Sequence, residues 1–401
     1  MTRSVSIRNV KILSGDEIIY ARHNYPFDKL GISFLDDLSK EIRKSKDSSI
    51  YPDLLTFSFW CRNSNINNLK KKYSNLKNRF GRGLVLHIAP SNVPLNFGYT
   101  FIFGLLSGNA NIIKVPSKDF PQSKVLIGLI NCLFKKEEYK ELKKTNVFLK
   151  YTQNNSITEY LSSVCDVRII WGGDSTIEKI RNFPIPVRSI DFSFADRVSV
   201  CLIDSDQLKI QNEFSLDRLI KSFYNDTFIM DQNACSSPKL ILWKGKSKNV
   251  RIKNRFWEKL SDLAKNKIEM DFSFANQKHL KFCETTIQIK KNIIKFQSYD
   301  NFVFRLSLDS LPKDIHKYFG NSGFFFEHDI KSLDDINHIL NHKYQTMTYF
   351  GVEKEIIINF IEKLTVNAFD RVVPLGSALE IELTWDGYDM IRSLTRQVII
   401  Y

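Results

Sequence analysis

Several signatures are missing from this 401-residue chain. It has no Gly-x-Gly-x-x-Gly fingerprint, so the usual glycine-rich dinucleotide turn is excluded. It has no Cys-x-x-Cys pair: Cys61, Cys132, Cys165, Cys201, Cys235 and Cys283 are scattered. That spacing argues against a disulfide scaffold and a metal knuckle, and leaves reduced thiols in a cytoplasm, with no metal, as the expectation. The most apolar run, "LNFGYTFIFGLL", stops short of a bilayer span, and "MTRSVSIRNVKILSGDE" lacks the apolar core of a signal peptide. Neither membrane crossing nor export is therefore expected. Internal repeats and low-complexity linkers are absent too.

What is present is ordinary globular material, 43% hydrophobic and 25% charged, enough for a sizeable core and two or three domains. The formal charge of +14 suits a nucleic-acid surface, an anionic cofactor or substrate, or acidic lipid. The lysines are spread along the chain, as a codon bias would spread them, so charge does not choose among these.

Residues 1–80 alternate short apolar and charged helical pieces and read as scaffold. From Gly83 the pattern becomes strand, turn, helix: "GLVLHIAP", a helix from about Leu95 to Leu106, "NIIKVPS", then the helix "FPQSKVLIGLINCLF". "VRIIW" runs into "GGDST" and the helix "IEKIRNF", and "RVSVCLID" closes this half near Asp204. The rhythm predicts an α/β fold with parallel sheets. A second block opens with "SLDRLIKSFYND", reaches Cys235 and the strand "KLILW", and continues to about Phe369. The predicted domains are 1–205, 206–367, and a tail 368–401 ending on an apolar strand that must pair with something.

Four stretches carry candidate chemistry. In "DQNACSSP" (231–238) Cys235 stands between a polar run and a Pro-terminated turn, an exposed setting for a nucleophile, although most such cysteines are inert. In "HIAPSNVPL" Asn92 lies in a Pro-bounded loop after a strand, where its amide suits an oxyanion or merely turns the chain. In "GNANIIKVPSKDFP" Lys114 ends a strand, with Ser117 and Lys118 in the loop beyond, a place for nucleotide hydroxyls and phosphates or for solvated side chains. In "IIWGGDSTIEKI" paired glycines allow close approach of a pyrophosphate.

In this order, "APSNVP", "GNANIIKVPS", "WGGDST", "DQNACSSP" and "RVVPLGSALEIELTWDGYD" resemble the acyl-CoA reductases of the luminescence type (LuxC-like), a branch of the aldehyde dehydrogenase superfamily, over residues 80–401. The resemblance implies two parallel-sheet α/β domains, one for cofactor and one catalytic, with a small oligomerisation element. It implies reduction of an acyl thioester to an aldehyde through an acyl-enzyme on Cys235, the Asn92 amide and the Cys235 N–H serving the oxyanion. Lys114 matches the ribose lysine, and Gly172, Gly173 and Ser175 fall where cofactor phosphates pass. Ser117 and Lys118 stand where NAD-preferring relatives carry an acid, which points to NADPH. Asp174 replaces a phosphate-binding serine and is expected to cap its helix instead. "KYFGN" matches the nicotinamide-ribose element only loosely.

Oxidising relatives hydrolyse the thioester with a glutamate. Here "SIDFSFADR" places Phe192 at that position, with Asp191 as a possible substitute and no other carboxylate expected near the sulfur. The implied partners are an acyl-CoA or other activated acyl donor, a possible acyl-protein synthetase, and further copies of the chain, with no nucleic acid. An oxidising aldehyde dehydrogenase or acyl-phosphate reductase is the nearest alternative, and a non-catalytic basic nucleic-acid-binding protein the remote one.

Overall fold

A computed structural model describes residues 3–91, 93–152, 154–245, 250–268 and 272–401. The chain divides into two units, 1–195 with 381–401, and 196–380. The first boundary thus precedes the strand Val198–Asp204, which the sequence pattern had put at the end of the first half, and Arg371–Pro374 belongs to the second unit rather than to the tail.

In the first unit, Leu84–Ile88, Ala110–Lys114 and Val167–Trp171 are almost wholly buried, as expected of parallel strands covered on both faces. The six-stranded sheet runs in the order Lys11–Ser14, Asn146–Lys150, Ala110–Lys114, Leu84–Ile88, Val167–Trp171, Ile190–Phe194, and only Lys11–Ser14 is antiparallel to its neighbour. The chain order reverses direction at Leu84–Ile88, whose two neighbours come later in sequence on either side. Such a switch point opens a crevice at the carboxyl ends of the strands. Helix Asn96–Leu106 is apolar nearly all round and is buried accordingly. Helix Lys29–Lys44 starts where the Asp28 side chain accepts the Leu30 N–H at 3.1 Å, and buries Phe34, Leu35, Leu38 and Ile42 along one stripe.

The tail closes on this unit. Strand Thr395–Gln397 pairs antiparallel with Arg79–Gly81, so its partner is in the same chain, and regular pairing ends before the exposed Ile399, Ile400 and Tyr401.

The second unit holds a seven-stranded sheet ordered Ile293–Tyr299, Val303–Leu308, Phe324–Ile330, Pro238–Lys244, Val198–Asp204, Tyr344–Phe350, Arg371–Pro374, parallel except for the first strand. Alternation with period two splits the core: Val200, Leu202, Leu240 and Leu242 face one cluster, and Cys201, Ile203, Ile241 and Trp243 the other. Helices Glu213–Thr227 and Val250–Lys267 cover the second face through Phe223, Phe256, Trp257 and Leu260. Glu327 is buried there in a strand interior. Its carboxylate accepts from the indole N–H of Trp243 at 2.8 Å and of Trp257 at 3.0 Å and from Ser307 Oγ at 2.5 Å, with the Arg305 guanidinium 2.7 Å away. Those partners hold its ionisation below the usual carboxylate range despite burial.

Candidate functional site

Within the first unit, Lys114, Gly172, Gly173 and Ser175 gather at the carboxyl edge of the sheet, on the two strands flanking Leu84–Ile88 and the turn that follows one of them. Lys114 Nζ lies 4.8 Å from the centre of the Tyr151 ring, and burial lowers its pKa. Ser117 and Lys118 are exposed in the loop beyond, Lys118 Nζ 5.2 Å from the Phe120 ring. A Cβ added to Gly173 would meet nothing within 4 Å, so the turn leaves open space beside the first turn of helix Asp174–Arg181. The expectation for Asp174 fails in detail: the cap position is Gly173, with no side-chain cap bond, and Asp174 is the first helical residue, where its charge meets the positive end of the helix dipole. Beneath this edge Trp171 stacks on Phe194 at 4.0 Å. These residues fit a dinucleotide: a cationic group at a strand end, a second in the next loop, and a turn without side-chain bulk. Asn92 lies outside the described residues.

Asp191 is occupied elsewhere. Its two oxygens accept from the guanidinium of the buried Arg168 at 3.0 and 2.8 Å, with Arg181 3.5 Å away. Phe192 is buried on the other face of the strand.

The six thiols separate by environment. Cys61, Cys165 and Cys201 are buried, and burial pushes their ionisation upward, that of Cys165 to about 12. Cys132 and Cys283 are exposed on helices. Cys235 is partly buried, in the turn between helix Glu213–Thr227 and strand Pro238–Lys244. The backbone N–H of Arg197 donates to its sulfur at 3.5 Å, and its carbonyl accepts from Ser199 Oγ at 2.6 Å, while Ser199 Oγ accepts from Thr346 N at 3.2 Å. A hydrogen bond to sulfur favours the thiolate.

The turn itself is fastened from the inside. Asp231 and Gln232 both have left-handed backbones, φ 49° and 56°, a conformation costing roughly 1–2 kcal/mol per non-glycine residue. The fully buried Gln232 amide offsets it. Its Oε1 accepts from Gly323 N at 2.7 Å and Phe324 N at 3.1 Å, and its Nε2 donates to Pro238 O at 3.2 Å. Gly323, at φ +87°, leaves no room for a Cβ, which would lie 1.9 Å from Phe302 O. Ser322 N donates to Asp231 O at 3.0 Å, and the buried Lys278 ammonium donates to Ser322 O at 2.9 Å.

Two findings depart from the sequence reading. Asp196 Oδ1 lies 3.8 Å from the Cys235 sulfur as a thiol acceptor, so a carboxylate does stand beside the nucleophile candidate. Asn321, from the loosely matching "KYFGN", accepts from Lys239 Nζ and donates to Asn233 Oδ1 at 2.9 Å, which ties that element to the cysteine turn. Gln232 lay inside the quoted motif but read only as a polar flank; two of its three partners, Gly323 and Phe324, are some ninety positions downstream. Among the described residues no cluster of histidine, cysteine or carboxylate could hold a metal, and no helix is long and apolar enough to cross a membrane.

The fold is that of aldehyde dehydrogenases. It matches lactaldehyde dehydrogenase from Escherichia coli with a TM-score of 0.63 at 12% identity, over 92% of this chain and 86% of that one. It matches indole-3-acetaldehyde dehydrogenase, solved as a complex with NAD+, with a TM-score of 0.62 at 11% identity, over 92% and 82%. In sequence it is similar to the long-chain acyl-protein thioester reductase of Vibrio harveyi, 20% identical over 322 residues, which are 80% of this chain and 64% of that protein. The chain thus spans less than two thirds of that relative's length. The sequence profile described as acyl-CoA reductase (LuxC) matches residues 61–397, from the scaffold through the Cys235 turn to the closing strand, and the chain belongs to that family.

Proposed function

We propose that this protein reduces an acyl thioester to an aldehyde through an acyl-enzyme on Cys235, using NADPH. The observation that carries the reading is the Cys235 sulfur, partly open and receiving a backbone N–H, in a chain of the LuxC family. Attack by the thiolate on the donor's carbonyl carbon forms a new C–S bond and a tetrahedral oxyanion; its collapse breaks the donor C–S bond, and the donor thiolate leaves to take up a proton. When bound, the nicotinamide supplies a hydride to the acyl carbon. The Cys235 thiolate is the leaving group as the aldehyde departs, so the balance is thioester plus NADPH plus a proton giving aldehyde, thiol and NADP+.

NADPH is favoured over NADH by Lys118 and by the absence of an acid at Ser117, since a 2′-phosphate meets a cation there. The acyl donor is an acyl-CoA, as the family description has it, or an acyl group on a partner protein, as the name of the Vibrio relative states for that enzyme. Assembly into homo-oligomers, through the apolar end of the tail, and a cytoplasmic location are part of the same proposal. Intact-mass measurement after exposure to a panel of acyl-CoAs tests the core of it. An acyl adduct on the wild type and none on Cys235→Ala is the expected result, and an unchanged adduct on the variant refutes the reading.

Asp196 supports a second reading, in which the acyl-enzyme is hydrolysed and the protein runs as an oxidising aldehyde dehydrogenase. Free acid released from aldehyde and NADP+ without coenzyme A, and lost in Asp196→Asn, would establish it; aldehyde produced from acyl-CoA and NADPH with no acid released would dismiss it.

A further inference from the structure

Lys239 follows Cys235 by four residues and is the first cation of the strand that the cysteine turn enters. Its ammonium is partly buried, and its position is fixed by the chain Lys239 Nζ to Asn321 Oδ1, then Asn321 Nδ2 to Asn233 Oδ1, which returns to the cysteine turn. Both amides are neutral, so the hydrogen bonds place the cation without neutralising it. The anions within electrostatic reach are Asp196 and an ionised Cys235.

We propose that Lys239 is the electrostatic partner that makes the Cys235 thiolate accessible near neutral pH, working against the opposing charge of Asp196. This rests on the assignment of Cys235 as nucleophile. A desolvated ammonium next to a thiol stabilises the thiolate and has no effect of comparable size on the neutral form. Consistently, burial drags Lys239 down to about 8, while Asp196 and Cys235 pull it back up.

Among the described residues, the other charged groups near the sulfur are engaged as follows. Arg197 and Asp196 precede strand Val198–Asp204, and the Arg197 guanidinium is engaged with Asp370 and with Tyr344 O. Lys343, ahead of Tyr344–Phe350, donates to the Asp196 carbonyl at 3.2 Å. Lys281, on helix Phe272–Gln288, donates to Lys317 O at 3.2 Å and opposes the charge on Lys239. Asp231, in the same turn as Cys235, is partly desolvated, and burial raises its pKa.

The test is the pH dependence of iodoacetamide alkylation at Cys235 in the full-length protein. Peptide mass spectrometry separates Cys235 from the exposed Cys132 and Cys283, and neither cofactor nor acyl donor is present. Lys239→Met should raise the alkylation midpoint by about one pH unit or more, slowing the reaction at pH 7 about tenfold, while Lys239→Arg keeps the midpoint near that of the wild type. Asp196→Asn, at an exposed position, should move it the opposite way.

A folded Lys239→Met protein with an unshifted midpoint overturns the proposal. If Lys239→Met does not fold, Asp196→Asn decides: a lowered midpoint supports the charge balance, and an unchanged or raised one overturns it. Because the readout is alkylation, its outcome is separate from whether the protein reduces thioesters.

Discussion

The two sheets use opposite edges. In the first unit the nucleotide-binding candidates sit at the carboxyl ends of the strands, and the site is made by topology: a reversal of strand order, two glycines, and exposed side chains at the margin. In the second, Cys235 sits at the amino ends, ahead of Pro238–Lys244 and beside the start of Val198–Asp204, and the site is made by buried polar side chains. A crevice at a switch point needs little side-chain specification and tolerates substitution at its rim. A sulfur held in a left-handed turn needs each partner in place.

The largest test of this contrast is Cys235→Ala. It should abolish acylation and lower reductase turnover by about 10⁴-fold or more, with NADPH affinity by fluorescence titration unchanged. Gln232→Ala comes next. Two backbone N–H groups and one carbonyl lose their partner, which should cost about 2–4 kcal/mol in urea unfolding; a loss under about 0.5 kcal/mol would break the claim that the turn is fastened by this amide.

In the other region, Lys118→Glu should weaken NADPH binding about tenfold, about 1.4 kcal/mol, and NADH binding less, with the urea midpoint unmoved. Equal weakening of both cofactors would remove the basis for 2′-phosphate selection. The last test, of a slope and not of a single loss, belongs to Asp226. Buried, and accepting from Gly376 N at 2.6 Å and Ala378 N at 2.9 Å, it is pushed up to about 7 by desolvation. The folded chain keeps a proton that the unfolded chain releases near pH 4. Its contribution is therefore full below that pH and declines as pH rises through 7, by at most about 1.4 kcal/mol per pH unit. In Asp226→Asn the slope of stability against pH over that window should flatten.

The first unit was largely legible in the sequence because its signals are local. "NIIKVPS" and "FPQSKVLIGLINCLF" become the strand Ala110–Lys114 and helix Pro121–Phe134, with Pro at the helix start. Asn146–Lys150 escaped because "NVFLK" follows a lysine-rich helix without glycine or proline to mark it. In the second unit "FFFEHDI" reads poorly as a central strand, since Glu327 interrupts it. The glutamate is tolerable only because two indoles, a serine and an arginine converge on it from elsewhere in the chain. The same holds for the site. Cys235 is singled out by the order of motifs around it, whereas Gln232, Asn321 and Asp196 act through partners that no local pattern reveals.

The anchoring of Gln232 to Gly323 and Phe324 has a temporal consequence. Synthesis delivers the thiol long before residues 319–330 exist, and until that later strand docks the Gln232 side-chain carbonyl oxygen lacks the two backbone donors that fasten the bend from inside. A nascent or half-assembled molecule therefore carries Cys235 in a turn that lacks its inner anchor, and completion of the sheet supplies it.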